Sequence, residues 1–447
     1  MRPGSDLSRP FSIFDFSSRR AIVAAVSGGS DSTALLLLLK SFLEQNAPAT
    51  RLVAVTIDHA LRPASAAEAE QAAHLAALHG ISHRTLVWTG EKPAAGLPAA
   101  AREARYSLLA GAARDEGADL IFTGHTADDQ AETVMMRQAR GDGIGLAGMA
   151  PATLFESAVW IARPLLQTSR ETLRAYLRER DIRWSDDPTN SDAAFERPRI
   201  RQAIGDAGET QVAEALETAR AASQARENLG RRAALRIAAF ADRPSPGLVR
   251  LSRDFAAPDD REGAVHALRI LLGCVGGATH LPDHDRTAHL FDRLAGERLC
   301  ATLSRTVVDA RRSGIFLRRE ARDPPPPTVL RESMNWDGRY RIASGRRDLS
   351  IAPHGVPDAA FETASGVPDS LVRAALATQP ALWRDGQRLC LLPNALTDFG
   401  VEATPLAGPW ARFLPSFDLA PAHAVAKLLG APLPPAPPFA SHIIGLA

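Results

Sequence analysis

Six consecutive residues, Ser27, Gly28, Gly29, Ser30, Asp31 and Ser32, stand between an apolar run at 21–26 and a helix-forming run at 33–43. A strand that ends in a glycine turn and opens straight into a helix aims several backbone N–H groups and the positive helix end at one point. Polyphosphate is the guest that suits such a turn. The glycines let the backbone approach an anion without Cβ obstruction, and the serines add hydroxyl donors. A carboxylate at an anion site makes sense if Asp31 holds a magnesium ion that bridges the phosphates. The lysine-bearing phosphate loop of the common NTPases needs Gly-Lys-Ser/Thr. No such string occurs, because the lysines are Lys40, Lys92 and Lys427, and Lys40-Ser41 lies inside a helical run. The plainer reading of the hexapeptide is a polar turn with a Ser/Asp helix cap; its strand and helix flanks favour the anion site.

A second constellation lies at 123–133, where His125, Asp128, Asp129 and Glu132 have the spacing of one helix face. These groups could bind magnesium, steer an amine or move protons. Thr126 and Asp129 also form a capping pattern, and acidic residues suit a first helical turn. Capping accounts for Asp129 but for neither His125 nor Glu132. Arg102 and Arg105 are one turn apart, fit to grip phosphate or a base, and equally readable as a solvated helix face. Gly141, Gly143, Gly145 and Gly148 make a mobile or tightly folded loop whose lead-in, Arg137 and Arg140, suits a nucleic-acid backbone. The stretch 186–192 is dense in Asx and Pro turn chemistry, and Arg197, Arg199 and Arg201 after it could contact phosphates.

The elements that must position these groups follow from periodicity. Short apolar runs at 21–26, 52–57, 84–88, 120–123 and 159–162 read as buried strands. Helical runs at 33–43, 66–79, 99–116 and 128–139 alternate with them. That order predicts an α/β domain with a doubly wound parallel sheet, in which ligands bind beyond the carboxyl ends of the strands. The loop at 27–32, Asp58-His59 and Gly124-His125 all fall at such ends. After Arg201 the pattern predicts a mostly helical region, with helices at 211–240, 261–272 and 284–294, then a hairpin at 301–319 around Arg312, Ser313 and Gly314. Four prolines at 324–327 mark a linker. Beyond it the runs 339–343, 348–352 and 389–392 predict a smaller β-rich domain. The expected division is 1–205, 206–323 and 324–447.

A chain of 447 residues exceeds what one core usually serves. A net charge of +1 gives no global attraction for nucleic acid, so any basic surface must be local. Cys274, Cys300 and Cys390 are odd in number and widely spaced, which argues against a disulfide framework or a zinc site and for a reducing compartment. The start of the chain lacks the apolar core of a secretory signal, and no apolar run is long enough to span a bilayer. The expectation is a cytoplasmic protein.

Together these stretches resemble the tRNA(Ile)-lysidine synthetase family of the PP-loop, or N-type ATP pyrophosphatase, superfamily. The resemblance rests on SGGSDS, on IDHALRPASAAEAE from Ile57, on AREARYSLL from Ala101, on TGHTADDQAETVMMRQARGDGIGLAGM from Thr123, and on ARPLL followed by DDPTN. It covers roughly the first two hundred residues strongly, and the later regions fit the family's domain plan without a sharp motif. It implies ATP and Mg2+ as cofactors, L-lysine as a substrate, and an isoleucine tRNA with a CAU anticodon as partner. The C2 carbonyl oxygen of the wobble cytosine would attack the α-phosphate of ATP and release pyrophosphate. The lysine amine would then attack C2, and AMP would depart.

By family match, Ser27, Gly28, Gly29, Ser30, Asp31 and Ser32 would bind ATP, with Asp31 also on the metal. Asp31, Arg105, His125, Asp129 and Glu132 would be catalytic, and Arg201 is a weaker carry-over. The chain departs from the family at Thr126, where many relatives have a second histidine, and at Pro198, where asparagine is frequent. The nearest alternative is another PP-loop tRNA-modifying enzyme such as a thiolase. Those generally use paired cysteines or an iron–sulfur cluster, and no cysteine lies in the first two hundred residues. A glutamine-dependent amidotransferase would need an N-terminal nucleophilic cysteine, and a nucleotide sensor would not need His125, Asp129 and Glu132 on one face. A homodimer is left open.

Overall fold

The computed structural model describes residues 7–61, 65–90, 92–141, 143–185, 199–201, 208–296, 298–356, 366–391 and 399–440. From Ala21 onward strand and helix alternate: β1 (Ala21–Ala25), α1 (Ser30–Asn46), β2 (Arg51–Asp58), α2 (Ser65–Leu78), β3 (Ser82–Val87), α3 (Leu97–Asp115), β4 (Leu120–Thr123) and α4 (Ala127–Gln138). Then come β5 (Ala152–Phe155), β6 (Val159–Ala162) and α5 (Arg170–Arg178). In space the strands run β5-β6-β4-β1-β2-β3. β1 pairs in parallel with both β2 and β4, so the winding direction reverses between β1 and β4. Beyond the carboxyl ends at that reversal lies the crevice where such sheets take ligands.

The strand β1 is apolar throughout and β4 is apolar up to its last residue, Thr123, because helices cover both faces of the sheet. α1 is buried nearly all round, from Ala34 to Leu39 and again at Phe42 and Leu43. Phe122 of β4 meets Phe14 edge-on at 5.1 Å and stacks on Phe16 at 5.8 Å between ring centroids. Phe439, from near the other end of the chain, packs on Phe14 at 5.6 Å.

The parallel sheet expected from sequence is present with one addition. β5, unassigned by the periodicity, runs antiparallel to β6 on the side away from β4. Its turn places Glu156 and Ser157 at φ 48° and 60°. That is the backbone of a tight hairpin turn, usually signalled by Asn-Gly or Asp-Gly. Here no glycine announces it.

The chain divides into two compact units, Met1–Arg226 with Ala436–Ala447, and Glu227–Pro435. The division falls inside a long helix, Glu209–Phe240. The middle region carries the expected helices, Arg261–Gly276 and His284–Asp292, and also more sheet than the sequence suggested. Ala241–Ser245, Leu248–Leu251, Gly314–Arg319, Thr306–Arg311 and Leu299–Leu303 pair in that order as one antiparallel sheet. The hairpin expected at 301–319 is therefore three strands. Its extra turn, at Ser304 and Arg305, again has two positive φ values, 51° and 61°, without glycine. The final region is β-rich as expected, with a four-stranded and a three-stranded sheet.

One ionic knot in the second unit matters for stability. The Asp337 carboxylate, 1% exposed, accepts from Arg319 Nε at 3.2 Å, from Arg339 Nε at 2.8 Å, and from Arg305. The surplus positive charge is spread onto backbone carbonyls: Arg319 also donates to Arg322 and Asp323, and Arg339 to Thr378. Among the described residues no helix is long and apolar enough to cross a membrane.

Candidate active site

The loop after β1 is closed on itself by Ser32. Its hydroxyl accepts the Ser27 backbone N–H at 3.1 Å and donates to the Gly29 carbonyl at 3.2 Å. Gly28 stands at φ 84°, a conformation an L side chain resists. Gly29 is the N-cap of α1 and has no side chain with which to satisfy the first-turn N–H groups. The start of α1 is thus an uncapped donor cluster at a positive helix end, as an anion requires.

The turn after β4 lies directly against this loop. A Cβ on Gly124 would come within 2.9 Å of the backbone carbon and oxygen of Asp31 and the nitrogen of Ser32. Only a glycine permits that approach, and it brings the start of α4 to the start of α1. Thr126 caps α4 in a reciprocal box: the Asp129 carboxylate accepts the Thr126 N–H at 2.9 Å, and the Thr126 hydroxyl faces the Asp129 N–H. The capping role considered from sequence is therefore real, and it uses one oxygen of Asp129.

The other oxygen faces Arg170, at the first turn of α5. Arg170 donates Nη2 to Asp129 at 3.0 Å and Nε to Asp31 at 3.0 Å, and its Nη1 is 3.8 Å from Glu132. Its backbone N–H donates to Asp128 at 2.8 Å, which makes Asp128 an anchor for α5. Glu132, 1% exposed, is gripped by Arg201 at 2.7 and 3.3 Å. Burial works to raise the Asp129 pKa, but Arg170 and the Thr126 hydrogen bonds win and hold it below the ordinary carboxylate value. Desolvation works against the Arg170 charge, and Asp129 and Asp31 more than restore it.

His125 sits at the mouth of α4 with Nδ1 2.9 Å from the Thr123 hydroxyl. Burial, then Arg163, Arg105 and Arg102, push its pKa far below the usual imidazole range, outweighing Asp129. Its imidazole is neutral at physiological pH. Beside it Arg102 and Arg105 lie over the Tyr106 ring, 5.0 and 5.4 Å from its centroid. Arg163 is buried, donating to Ala150 O at 2.9 Å and Thr153 Oγ1 at 3.0 Å. Desolvation would raise the Tyr106 phenol, but Arg163, Arg102 and Arg105 bring it down to about 8.

The structure thus brings Asp31, Asp129 and Glu132 into one ionic web and sets His125 and Arg105 within electrostatic reach of it. Sequence reasoning left out three members. Arg170 opens an ordinary amphipathic helix and carries no local signal. Arg163 stands inside ARPLL, a quoted motif whose arginine had no assigned task. Thr123 reads simply as the last residue of a strand. The end of the glycine-rich stretch is tied down: Arg137 donates to the Gly148 carbonyl at 3.0 Å, and Gln130 bonds both N–H and C=O of Met149 at 2.7 and 3.1 Å. Segment 186–198, including Pro198, lies outside the described residues. Among the described residues no group of three or more His, Cys, Asp or Glu side chains could by itself hold a metal ion.

Residues 6–207 match the family model described as the PP-loop domain. The chain is 53% identical over 450 residues to a tRNA(Ile)-lysidine synthase of Mesorhizobium japonicum, covering 98% of each chain. It is 39% identical over 440 residues to that of Brucella melitensis biotype 2, covering 94% of this chain and 97% of the relative. Among solved structures, the U34-tRNA thiolase NcsA from Methanococcus maripaludis aligns at a TM-score of 0.42 and 17% identity, over 48% of this chain and 77% of that one.

Proposed function

The chain belongs to the tRNA(Ile)-lysidine synthase family of PP-loop enzymes, and on that premise we propose how its residues carry the ligation. The enzyme uses ATP to join L-lysine to C2 of the wobble cytidine in the CAU-anticodon isoleucine tRNA, with AMP and pyrophosphate released. The observation that carries the assignment of roles is the glycine-gated contact between the 27–32 loop and the 123–125 turn, which sets a donor cluster beside a carboxylate and imidazole cluster.

Ser27, Gly28, Gly29, Ser30 and Ser32 cradle the β- and γ-phosphates through N–H and hydroxyl groups. Such donors stabilise the charge that develops on a leaving pyrophosphate, the main catalytic lever in phosphoryl chemistry. Magnesium fits the donor set, since that ion is ordinarily held by one or two carboxylates together with substrate phosphates and water. Asp31 at the head of α1 supplies the carboxylate. Bound there, the ion would neutralise phosphate charge. Arg105 faces the reacting phosphate or base. Asp129 and Glu132, set among arginines, hold the lysine amino group close to the base. His125, neutral, takes the proton of the attacking amine. The middle and final regions, 206–323 and 324–447, bind the tRNA, and the enzyme works in the cytoplasm.

Nucleoside analysis of the CAU isoleucine tRNA after incubation with ATP and lysine tests the assignment. Lysidine should appear, and with lysine omitted pyrophosphate should still be released. Unmodified cytidine beside an active control enzyme would overturn it.

A further inference from the structure

Building on the reading of His125 as acceptor of the amine proton, we infer that Thr123 is a positioning residue. It fixes His125 as the Nδ1–H tautomer and leaves Nε2 as the accepting nitrogen. The Thr123 oxygen stands 2.9 Å from His125 Nδ1 and 3.2 Å from the carbonyl oxygen of Ala162. A hydroxyl has one hydrogen to give, and a carbonyl oxygen can only accept. Were the hydrogen turned toward His125, two oxygens would face each other in a buried place with the hydrogen bond unmade, an expensive arrangement. With the hydrogen on Ala162, Thr123 offers the imidazole only lone pairs. Nδ1 must then carry the proton.

The sheet enforces this choice. Ala162 lies on β6, whose parallel register pairs it with Phe122 of β4, so the carbonyl that takes the Thr123 hydrogen is part of the framework. The groups that bear on His125 are Arg163 on the segment after β6, Arg102 and Arg105 on α3, and Asp129 on α4. Burial and the three arginines prevail over Asp129 and keep the ring neutral, so the competition is between two neutral tautomers. Only one of them can receive a proton at Nε2. In the second step the amine lone pair forms the C2–N bond, and the C2–O2 bond breaks with its electron pair leaving on AMP. One amine proton passes to Nε2 and on to water, and the imidazole returns unchanged. The other tautomer would present an N–H to the amine and could not take its proton.

Nitrogen-15 NMR of histidine-labelled enzyme reads the tautomer directly, with the His125 signals assigned from a His125→Gln sample. The proposal expects Nδ1–H in the parent and in Thr123→Ser, and loss of that preference in Thr123→Val. In single-turnover reactions started from adenylated tRNA, Thr123→Val should slow the lysine step about 10- to 100-fold with little change in KM for lysine, and Thr123→Ser should restore it to within about threefold. An Nε2–H signal in the parent enzyme overturns the proposal even if the valine variant does not fold. So does a folded Thr123→Val enzyme that works at the parent rate. If His125→Gln retains the parent rate, the catalytic reading of His125 fails instead, while the spectrum still decides the tautomer.

Discussion

Replacing Arg170 by alanine removes a cation that touches both Asp31 and Asp129. The consequence can be sized from the geometry. Both bonds are 3.0 Å long and the three side chains are only 14–19% exposed, so solvent screening is weak. Two charge-assisted hydrogen bonds at roughly 1.5–3 kcal/mol each give about 3–6 kcal/mol. Removing one partner of a buried pair costs about 3–5 kcal/mol, because the remaining charge is stranded. Arg170→Ala should therefore lose about 3–5 kcal/mol, a fall of roughly 10 °C in the melting of the first unit. The loss should depend on pH with a definite sign. In the parent, Asp129 is held below its ordinary pKa, so it contributes stability above that value and loses it as pH falls through the lowered one. In the variant, burial without Arg170 pushes Asp129 upward, so its charged form becomes a cost that acid relieves. The gap between parent and variant should be widest near neutrality and narrow as acid protonates Asp129. Denaturant melts of both proteins at neutral and acidic pH measure it. A variant within 0.5 kcal/mol of the parent at neutral pH, on the roughly ±0.5 scale of ordinary surface changes, would show that Arg170 does not clamp the two carboxylates.

Other expectations follow from separate features. Asp31→Asn should cut pyrophosphate release by about 100-fold or more, since charge stabilisation in such sites is worth that much, while tRNA affinity in a filter-binding assay stays near the parent value; lost tRNA binding would reassign the residue. Gly124→Ala drives a Cβ into the backbone of Asp31 and Ser32, so ATP-dependent pyrophosphate release should collapse in a protein whose circular dichroism is unchanged, and full activity would mean the two turns do not need that approach. Of the three tyrosines, Tyr176 and Tyr340 are raised by burial, whereas Tyr106 is drawn down to about 8. An ultraviolet titration should show one phenol ionising near that pH, and Tyr106→Phe should abolish it. Asp337→Asn removes the counter-charge from Arg305, Arg319 and Arg339 and should cost the second unit about 3–5 kcal/mol, read from its thermal unfolding.

What could be read from sequence was whatever is written in local patterning. The 27–32 loop, the strands around it and α4 with its capping box are runs of neighbours, and periodicity places them. The web around Arg170 joins residues 139 and 41 positions apart, and no helical or strand period connects them. The same holds for Arg201 on Glu132, 69 positions away, although a family arginine at that place gave a hint. The strand missed at Ala152–Phe155 and the unexpected split of the 301–319 hairpin share one cause. Turns at Glu156-Ser157 and Ser304-Arg305 take left-handed backbone without glycine, so the punctuation that normally marks a hairpin is missing. Asp129 shows why the two readings of one residue need not compete: one carboxylate oxygen caps the helix and the other meets Arg170.

α1 has apolar side chains on nearly all sides and lies sealed in the core from Ala34 to Leu39. Amides deep in such a helix exchange with solvent only when the surrounding core opens as a whole. The phosphate loop runs straight into the first turn of that same helix, so it cannot fray without dragging on the most protected part of the domain. Nucleotide thus meets a loop whose order was settled during folding, and little of its binding energy goes into arranging the receiving amides. Deuterium uptake at 34–39 should be slow and nearly the same with and without ATP, whereas the first-turn amides at 30–32 and the helix α5 should respond to it.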